Sequence, residues 1–222
     1  MLVVCWSSKG GAGTTVVACA IAARLAAPPG PGCLLVDGAG DAPGVLGLPE
    51  PDSPGVAGLL PDLASLPAAA RTAALQALEI PVGRGVSLIT RGRGALGPGE
   101  AVEALAAALA GDERPVVVDA GVVDAERPDL LPLVAGASRS LLVTRACYLA
   151  LRRATRLRCR PSGVVLVVEP GRALGAADVS QVLGVPVVAE VAVDPAVARV
   201  VDAGLLFSRL PRGLARSLVG AA

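Results

Sequence analysis

The sequence has no histidine, one lysine and almost no aromatic residues, and these shortages exclude several classes of site. Without histidine, and with five cysteines that form no Cys-x-x-Cys pair, a zinc site is not expected. Aromatic residues make up 1% of the 222 residues while 53% are hydrophobic, so a core must be built of valine, leucine and alanine. Such a composition is typical of helices packed on a buried parallel sheet.

An excess of one charge and long apolar runs are also missing. The 20 Lys and Arg against 19 Asp and Glu give a net charge of +1, which argues against a protein held to nucleic acid by bulk charge. No apolar run reaches the roughly 18 residues that span a bilayer. The N-terminus lacks a basic region before an apolar one, so no signal peptide is expected. We therefore predict a cytoplasmic protein with reduced cysteines.

Short apolar runs alternate with helical segments along the chain. Strands are predicted at Leu2–Cys5, Cys33–Val36, Val86–Ile89, Val116–Val118, Leu141–Val143, Val164–Val168 and Val187–Val191. Helices are predicted at Thr14–Ala27, Glu100–Ala110, Leu130–Ala135, Leu149–Leu157 and Ala176–Leu183. This alternation predicts one α/β domain over residues 1–222, with a doubly wound, mainly parallel seven-stranded sheet flanked by helices. Its ligand site is expected at the carboxyl ends of the strands.

Two segments depart from the alternation. Gly38–Pro61 carries five prolines, and we interpret it either as a surface loop or as a mobile switch over the site. The tail from Phe207 to Ala222 has three arginines among leucines. It is short and poor in large apolar residues, which argues against a peripheral membrane anchor.

The most informative motif is a glycine-rich turn between the first strand and the first helix. Main-chain N–H groups can converge on phosphate in such a turn, and the helix dipole adds positive charge. The candidate phosphate-binding residues are Gly10, Gly11, Ala12, Gly13, Thr14 and Thr15. The hydroxyl of Thr15 is also placed to ligate Mg²⁺. The alternative is a glycine-rich turn that binds no ligand.

Two aspartates stand where apolar strands end. Asp119 follows Val116–Val118 as in a Walker B element, and a carboxylate there can hold the Mg²⁺ shell beside a phosphate loop. Asp37 follows Cys33–Val36 in the same way. The alternative for Asp37 is a cap on a turn or helix.

The stretch Lys9-Gly10-Gly11-Ala12-Gly13-Thr14-Thr15 resembles the deviant Walker A motif of the ParA/MinD superfamily, Lys-Gly-Gly-x-Gly-Lys-Ser/Thr. The resemblance implies a P-loop NTPase of the SIMIBI type with ATP and Mg²⁺ as cofactors. It also implies a homodimer in which Lys9 reaches across to the partner's nucleotide. Lys9 is the only lysine among 20 Lys and Arg, which supports a role that arginine does not fill.

Two positions depart from the superfamily pattern. Thr14 stands where the family has a second lysine, which contacts the phosphates of its own subunit. Loss of such a charge-assisted contact costs ~1.5–3 kcal/mol of binding, and catalysis should suffer more. The family's Asp-x-Asp element has its second aspartate near the attacking water; here Asp37 matches the first and Ala39 replaces the second. We therefore expect at most a slow ATPase, with Asp41 as a substitute only if the loop shifts.

The resemblance covers nearly the whole chain. The Gly-Thr-Thr ending of the motif is similar to that of the TadZ/CpaE branch of the superfamily. Members of this branch help to place Flp-type pilus machinery and often carry a receiver-like domain, which is not found in this sequence. In the family, adenine lies near the end of the sixth strand and in the loop after the seventh. Glu169 and Asp194 fall at those places, although asparagine is the common residue at the first.

Three hypotheses on function follow. In the first, ATP and Mg²⁺ close a homodimer that positions or regulates pilus, secretion or division machinery through a protein partner, and hydrolysis is weak or absent. Lys9 then acts in trans, Thr15 ligates Mg²⁺, and Asp37 and Asp119 contact its water shell. In the second, the chain is a nucleotide-free scaffold. In the third, less favoured, it is a DNA-segregating ATPase.

The densest basic stretch predicts a solvated helix face, or else a docking face for DNA or an acidic partner. It comprises Arg145, Arg152, Arg153, Arg156, Arg158 and Arg160.

Overall fold

An eight-stranded sheet forms the centre of the protein in the computed structural model, which describes residues 1–49, 52–97, 99–123, 129–157 and 159–222. The strands are β1 (Leu2–Ser7), β2 (Cys33–Asp37), β3 (Ile80–Gly83), β4 (Val86–Ile89), β5 (Val116–Val122), β6 (Arg139–Arg145), β7 (Gly163–Val168) and β8 (Val187–Ala192). They lie in the order β3-β4-β2-β5-β1-β6-β7-β8. All neighbours are parallel except β3 and β4, so the expected doubly wound, mainly parallel α/β sheet is confirmed.

Helices cover both faces of this sheet. In the part of the chain that is described they are α1 (Thr14–Leu25), α2 (Ala42–Leu46), α3 (Gly55–Leu63), α4 (Ala68–Gln76), α5 (Gly99–Ala110), α6 (Leu131–Gly136), α7 (Tyr148–Ala154), α8 (Ala176–Leu183), α9 (Pro195–Asp202) and α10 (Arg212–Ser217). Val3 and Cys5 of β1 face α1, whereas Val4 and Trp6 face α3 and α5. Both faces of β1 are therefore buried, which explains its uninterrupted apolar sequence.

The prediction of seven strands is wrong by one. β3 pairs antiparallel with β4 at the edge of the sheet, and Pro81 lies in it, as an edge strand allows. The turn between them has positive φ angles at Gly83, Arg84 and Gly85. The strand was missed because it is four residues long and its pattern is only half buried.

The interpretation of residues 38–61 as a long loop is also wrong, because α2 and the start of α3 lie there. Pro43 is in the first turn of α2, and Pro54 is the N-cap of α3. Proline is tolerated at a helix start, where its fixed φ suits the helix and its missing N–H is not needed. Pro43 and Pro54 therefore mark where helices begin, whereas Pro61 lies inside α3. A switch role for this segment stays a prediction.

The C-terminal tail packs into the protein interior. Leu214, Leu218 and Ala221 are buried in the core beside α1 and β8. The apolar side of the tail is thus occupied by the protein itself, which argues further against a membrane anchor there. Among the described residues, no helix combines the length and apolar character needed to cross a bilayer.

Candidate nucleotide-binding site

The glycine-rich turn lies at the centre of the sheet. β1 has β5 and β2 on one side and β6, β7 and β8 on the other, so strands are added in opposite directions from it. Crevices at the carboxyl ends of strands where this reversal occurs are the usual ligand sites of open α/β sheets. The turn after β1 therefore stands where a ligand is expected.

The backbone of the turn is shaped by two glycines. Gly11 and Gly13 have φ angles of 77° and 88°, in the left-handed region that favours glycine. A Cβ atom at either position would meet no other atom within 4 Å, so the space next to both glycines is open. Gly13 is the N-cap of α1, and its carbonyl accepts the first helical hydrogen bond from Val17 N at 3.0 Å. The turn thus presents amides and a helix N-terminus to an open space.

That space is a cavity of about 590 Å³. It is lined by Ser7, Gly10, Gly11, Ala12, Gly13, Thr14, Thr15, Val16, Gly38, Ala39, Asp41, Arg91, Leu96, Ala120, Gly121, Val122, Asp129 and Leu130. This volume falls in the range typical of small-molecule and cofactor pockets. Thr14 and Ala39, the two departures from the superfamily motif, both line it, so both substitutions change the chemistry of the cavity wall.

Asp119 carries an unpaired oxygen beside this cavity. Its side chain is fully buried, Oδ1 accepts a hydrogen bond from Gly121 N at 3.0 Å, and Oδ2 has no hydrogen-bond partner among the described residues. The pKa of Asp119 is raised to about 7, chiefly by burial and in part by the nearby Asp37, against the opposing effect of the Thr15 hydroxyl. Buried carboxylate oxygens are normally paired, so the free oxygen beside Thr15 fits a hydrated Mg²⁺ ion.

Asp37 anchors the loop that follows its own strand. Its Oδ1 accepts hydrogen bonds from Ala39 N at 3.0 Å and Gly40 N at 2.6 Å, and Oδ2 accepts one from Ala42 N at 3.2 Å. Burial raises the pKa of Asp37, and these three N–H groups oppose the rise. Asp37 thus caps the turn that follows its strand, while the N-cap of α2 is Asp41; a contact with metal-bound water stays a prediction.

Lys9 lies on the other side of the turn. It is exposed and lines a second cavity of about 270 Å³ together with Thr144, Arg145 and Cys147. It is not among the described residues that line the larger cavity. Lys9 therefore does not line the larger cavity that contains Gly13, and its role in trans stays a prediction.

The two carboxylates expected near adenine are engaged elsewhere. Glu169 forms ion pairs with Arg145 and Arg172, and Oδ1 of Asp194 accepts a hydrogen bond from Ala196 N at 2.7 Å as the N-cap of α9. Neither residue lines the larger cavity. Each side chain thus has a structural role, and a contact with a base is not tested.

The arginine-rich stretch does not act as one surface. Arg145 pairs with Glu169, and Arg160 donates to Gly184 O at 2.6 Å. Arg152, Arg153, Arg156 and Arg160 are exposed, and Arg158 lies outside the described residues. Three arginines on or next to α7 are left to face solvent, as the solvated-face interpretation expects.

Sequence reasoning missed Arg91, which lines the larger cavity. It follows β4 by two residues, and β4 pairs with β2, so Arg91 lies beside the loop after Asp37. Its Nη1 donates to Gly38 O at 2.6 Å and its Nη2 to Gly94 O at 3.3 Å. The available signal was an arginine just beyond a buried strand.

A strand, an open glycine-rich turn and a helix N-terminus at a reversal point of a parallel sheet are features of nucleotide-binding α/β folds, which include the P-loop class. No model of a known protein family matches the sequence, and no curated protein matches it. Solved structures of ParA and MinD proteins share the fold over its full extent.

The chain is similar to a ParA family ATPase from Chlorobium tepidum TLS, with a TM-score of 0.77 and 18% identity over 98% of this chain and 95% of that one. It is similar to MinD in a MinC:MinD cell division complex from Aquifex aeolicus, with a TM-score of 0.70 and 18% identity over 100% and 96%. It is also similar to MinD with Mg-ADP from Pyrococcus horikoshii OT3, with a TM-score of 0.70 and 17% identity over 99% and 93%. At such identities the likeness shows a shared ParA/MinD-type P-loop fold.

Proposed function

We propose that this protein is an ATP-binding, dimerising switch of the MinD/ParA type that positions or regulates other cellular machinery, with weak or absent hydrolysis. One observation carries the proposal: the turn over residues 10–13 opens onto a cavity of about 590 Å³ and is not filled by the protein's own side chains. A scaffold without nucleotide has no need to keep such a space beside a helix N-terminus.

The role of each residue in binding nucleotide and Mg²⁺ follows from its position at or near the cavity. Backbone N–H groups from Gly10 to Gly13 donate to the phosphates, aided by the dipole of α1. Thr15 would ligate Mg²⁺, and the free Oδ2 of Asp119 would accept a hydrogen bond from water bound to the ion. When bound, Mg²⁺ neutralises charge on the phosphate oxygens. Asp37 holds the loop over residues 38–42 in place and contacts the same shell of water.

Slow turnover follows from two side chains. Thr14 provides no positive charge for the transferring phosphoryl group, and Ala39 provides no group to orient water. Both features favour a protein that binds ATP and persists in the bound state. The MinD structures solved with Mg-ADP and with MinC support nucleotide, Mg²⁺ and a protein partner as the components of the switch. The Gly-Thr-Thr ending favours pilus or secretion machinery as what is positioned.

The test is calorimetry with ATP and ADP, each with Mg²⁺, combined with light scattering for mass. We expect the native chain to bind both nucleotides and to dimerise with ATP. Lys9→Ala should bind ATP as a monomer and fail to dimerise, because its charge is needed only across the interface. Arg24→Ala, at the far end of α1, is the control and should behave as the native chain. Absence of nucleotide binding by the native chain would sink the proposal and leave the scaffold.

A further inference from the structure

The cavity over the turn contains little positive charge for a polyphosphate. Its charged lining residues, among those described, are Asp41, Asp129 and Arg91, so carboxylates outnumber cations. Thr14 stands at the position that would put a lysine into this space, and Lys9 lies beside the second cavity. Anions of high charge require compensation in a partly desolvated site. Arg91 is the one described cation in place to provide it within the subunit.

The backbone of Arg91 is held rigidly by α3. Its carbonyl accepts a hydrogen bond from Ala57 N at 2.8 Å, and the carbonyl of Thr90 accepts one from Val56 N at 2.9 Å. A Cβ atom at Gly55 would lie 2.6 Å from the carbonyl carbon of Arg91, so helix and strand end approach closely. The start of the Arg91 side chain is therefore fixed relative to the sheet.

The side chain runs across the loop that follows Asp37. Its Cδ lies 3.3 Å from the place a Cβ atom would occupy at Gly40, and Nη1 donates to Gly38 O at 2.6 Å. With the further bond from Nη2 to Gly94 O, two of the five N–H groups of the guanidinium are used. Three are left without a partner among the described residues, on a group that lines the cavity. Such a group is oriented in advance and still able to donate.

We propose that Arg91 binds the terminal phosphate of a nucleoside triphosphate in its own subunit and supplies the positive charge that Thr14 does not. This inference rests on the proposed nucleotide binding. Arg91 lies on the side of the cavity formed by Gly38, Ala39 and Asp41, away from Lys9, so its contact is with the phosphate farthest from the amides of the turn. A planar fork with several donors suits phosphate oxygens. Arg91 thereby makes the site prefer triphosphate over diphosphate.

The experiment compares ATP and ADP binding, each with Mg²⁺, in the full chain and in Arg91→Ala. We expect the variant to bind ATP about 10- to 100-fold more weakly, the usual effect of losing a charge-assisted contact, and ADP within about threefold of the native chain. Arg93→Ala is the matched control, since Arg93 is exposed and does not line the cavity. It should change neither affinity.

A rescue separates binding from a merely structural role. Thr14→Lys in the Arg91→Ala background places a cation at another residue that lines the same cavity, and it should restore ATP affinity at least tenfold. A purely structural loss at the loop would not be repaired from Thr14. If Arg91→Ala fails to fold, Arg91→Gln, which keeps a donor near Gly38 O without the charge, should show the same selective loss of ATP binding.

The outcomes distinguish this inference from the function on which it rests. Native protein that binds neither nucleotide overturns both. Native protein that binds ATP and ADP, with Arg91→Ala weakening neither or weakening both equally, overturns the role of Arg91 and leaves the switch intact. A third outcome is that Arg91→Ala folds and loses ATP binding but Thr14→Lys does not restore it. This outcome overturns the inference that Arg91 supplies the positive charge that Thr14 lacks.

Discussion

Asp37 and Asp119 are register partners on the adjacent parallel strands β2 and β5, and both side chains are fully buried. They differ in how their oxygens are used. Asp37 receives three backbone N–H groups, whereas Asp119 receives one and keeps Oδ2 unpaired. The first carboxylate therefore holds the loop in place, and the second keeps an oxygen that no described group pairs with. Two neighbouring carboxylates of the same type are thus expected to respond differently to mutation and to pH.

The stability of the ligand-free protein should fall as the pH rises from about 4 to about 7. Folded Asp119 keeps its proton to about pH 7, whereas an unfolded aspartate releases it near pH 4. The folded state therefore binds more protons across this window, so the free energy of unfolding decreases with pH, by at most about 4 kcal/mol from this group. Urea unfolding at half-unit steps from pH 4 to 8 measures the slope.

The controls for this prediction are two asparagine variants. Asp119→Asn should flatten the slope, because the side chain no longer ionises, and what is left should come chiefly from Asp37, whose pKa is also raised by burial. Asp62→Asn, at an exposed position of α3, should leave the slope unchanged. If the free energy of unfolding of Asp119→Asn depends on pH as steeply as that of the native protein, another group titrates in this range.

Removal of the Asp37 carboxylate should destabilise the protein strongly. Asp37→Ala leaves three buried or half-buried N–H groups unpaired, at a cost of about 2–4 kcal/mol in the free energy of unfolding. Asp194→Ala is the matched comparison, because it removes a carboxylate that accepts one exposed N–H, at a cost of about 1 kcal/mol. Hydrogen exchange should show faster exchange at Ala39, Gly40 and Ala42 in Asp37→Ala. Equal losses in the two variants would contradict the anchoring role.

The parallel part of the fold was predictable because its signal is local. Strands buried on both faces read as continuous apolar runs, and β1 and β2 show this directly up to their last residues, Ser7 and Asp37. β3 gives no such signal, since it lies at an edge, includes Pro81 and alternates between half-buried and exposed residues. α2 and α3 were missed because the prolines at their starts resemble loop residues when no partner surface is known.

In the candidate site, too, some residues could be predicted from the sequence and others could not. The phosphate turn is a continuous stretch of sequence, so its residues and the adjacent Thr15 were identified without a structure. Arg91 was not, because its position in the cavity depends on β4 pairing with β2, whose register partners, such as Val36 and Ile89, are 53 residues apart in sequence. The pairing of Glu169 with Arg145 likewise joins the ends of β6 and β7. To predict contacts between distant segments, one must know the order of strands in the sheet, which the alternation of strands and helices along the chain does not give.

The contact between α2 and α9 should depend on two glycines. A Cβ atom at Gly204 would lie 2.5 Å from Gly47 Cα, and Gly204 has a φ angle of 66°. Gly204→Ala should therefore cost at least about 2 kcal/mol in thermal or urea unfolding. Gly44→Ala, in α2 with no atom within 4 Å of its Cβ site, should be neutral or stabilise by up to about 1 kcal/mol. The same loss in both variants would show that the close approach of Gly47 and Gly204 is not what matters.

Restoring the two missing polar groups should raise ATP hydrolysis, if slow turnover comes from Thr14 and Ala39. Ala39 lies in the cavity wall against Gly121, which has no side chain to obstruct a longer one. The double change Thr14→Lys with Ala39→Asp should increase the rate of phosphate release at least ~10-fold, since one group stabilises the transferring phosphoryl and the other orients water. Thr14→Lys with Ala39→Asn is the control, equal in size but without the carboxylate, and should gain less. If both pairs gain equally and Asp41→Ala abolishes the residual rate, Asp41 already orients the water and position 39 does not limit turnover.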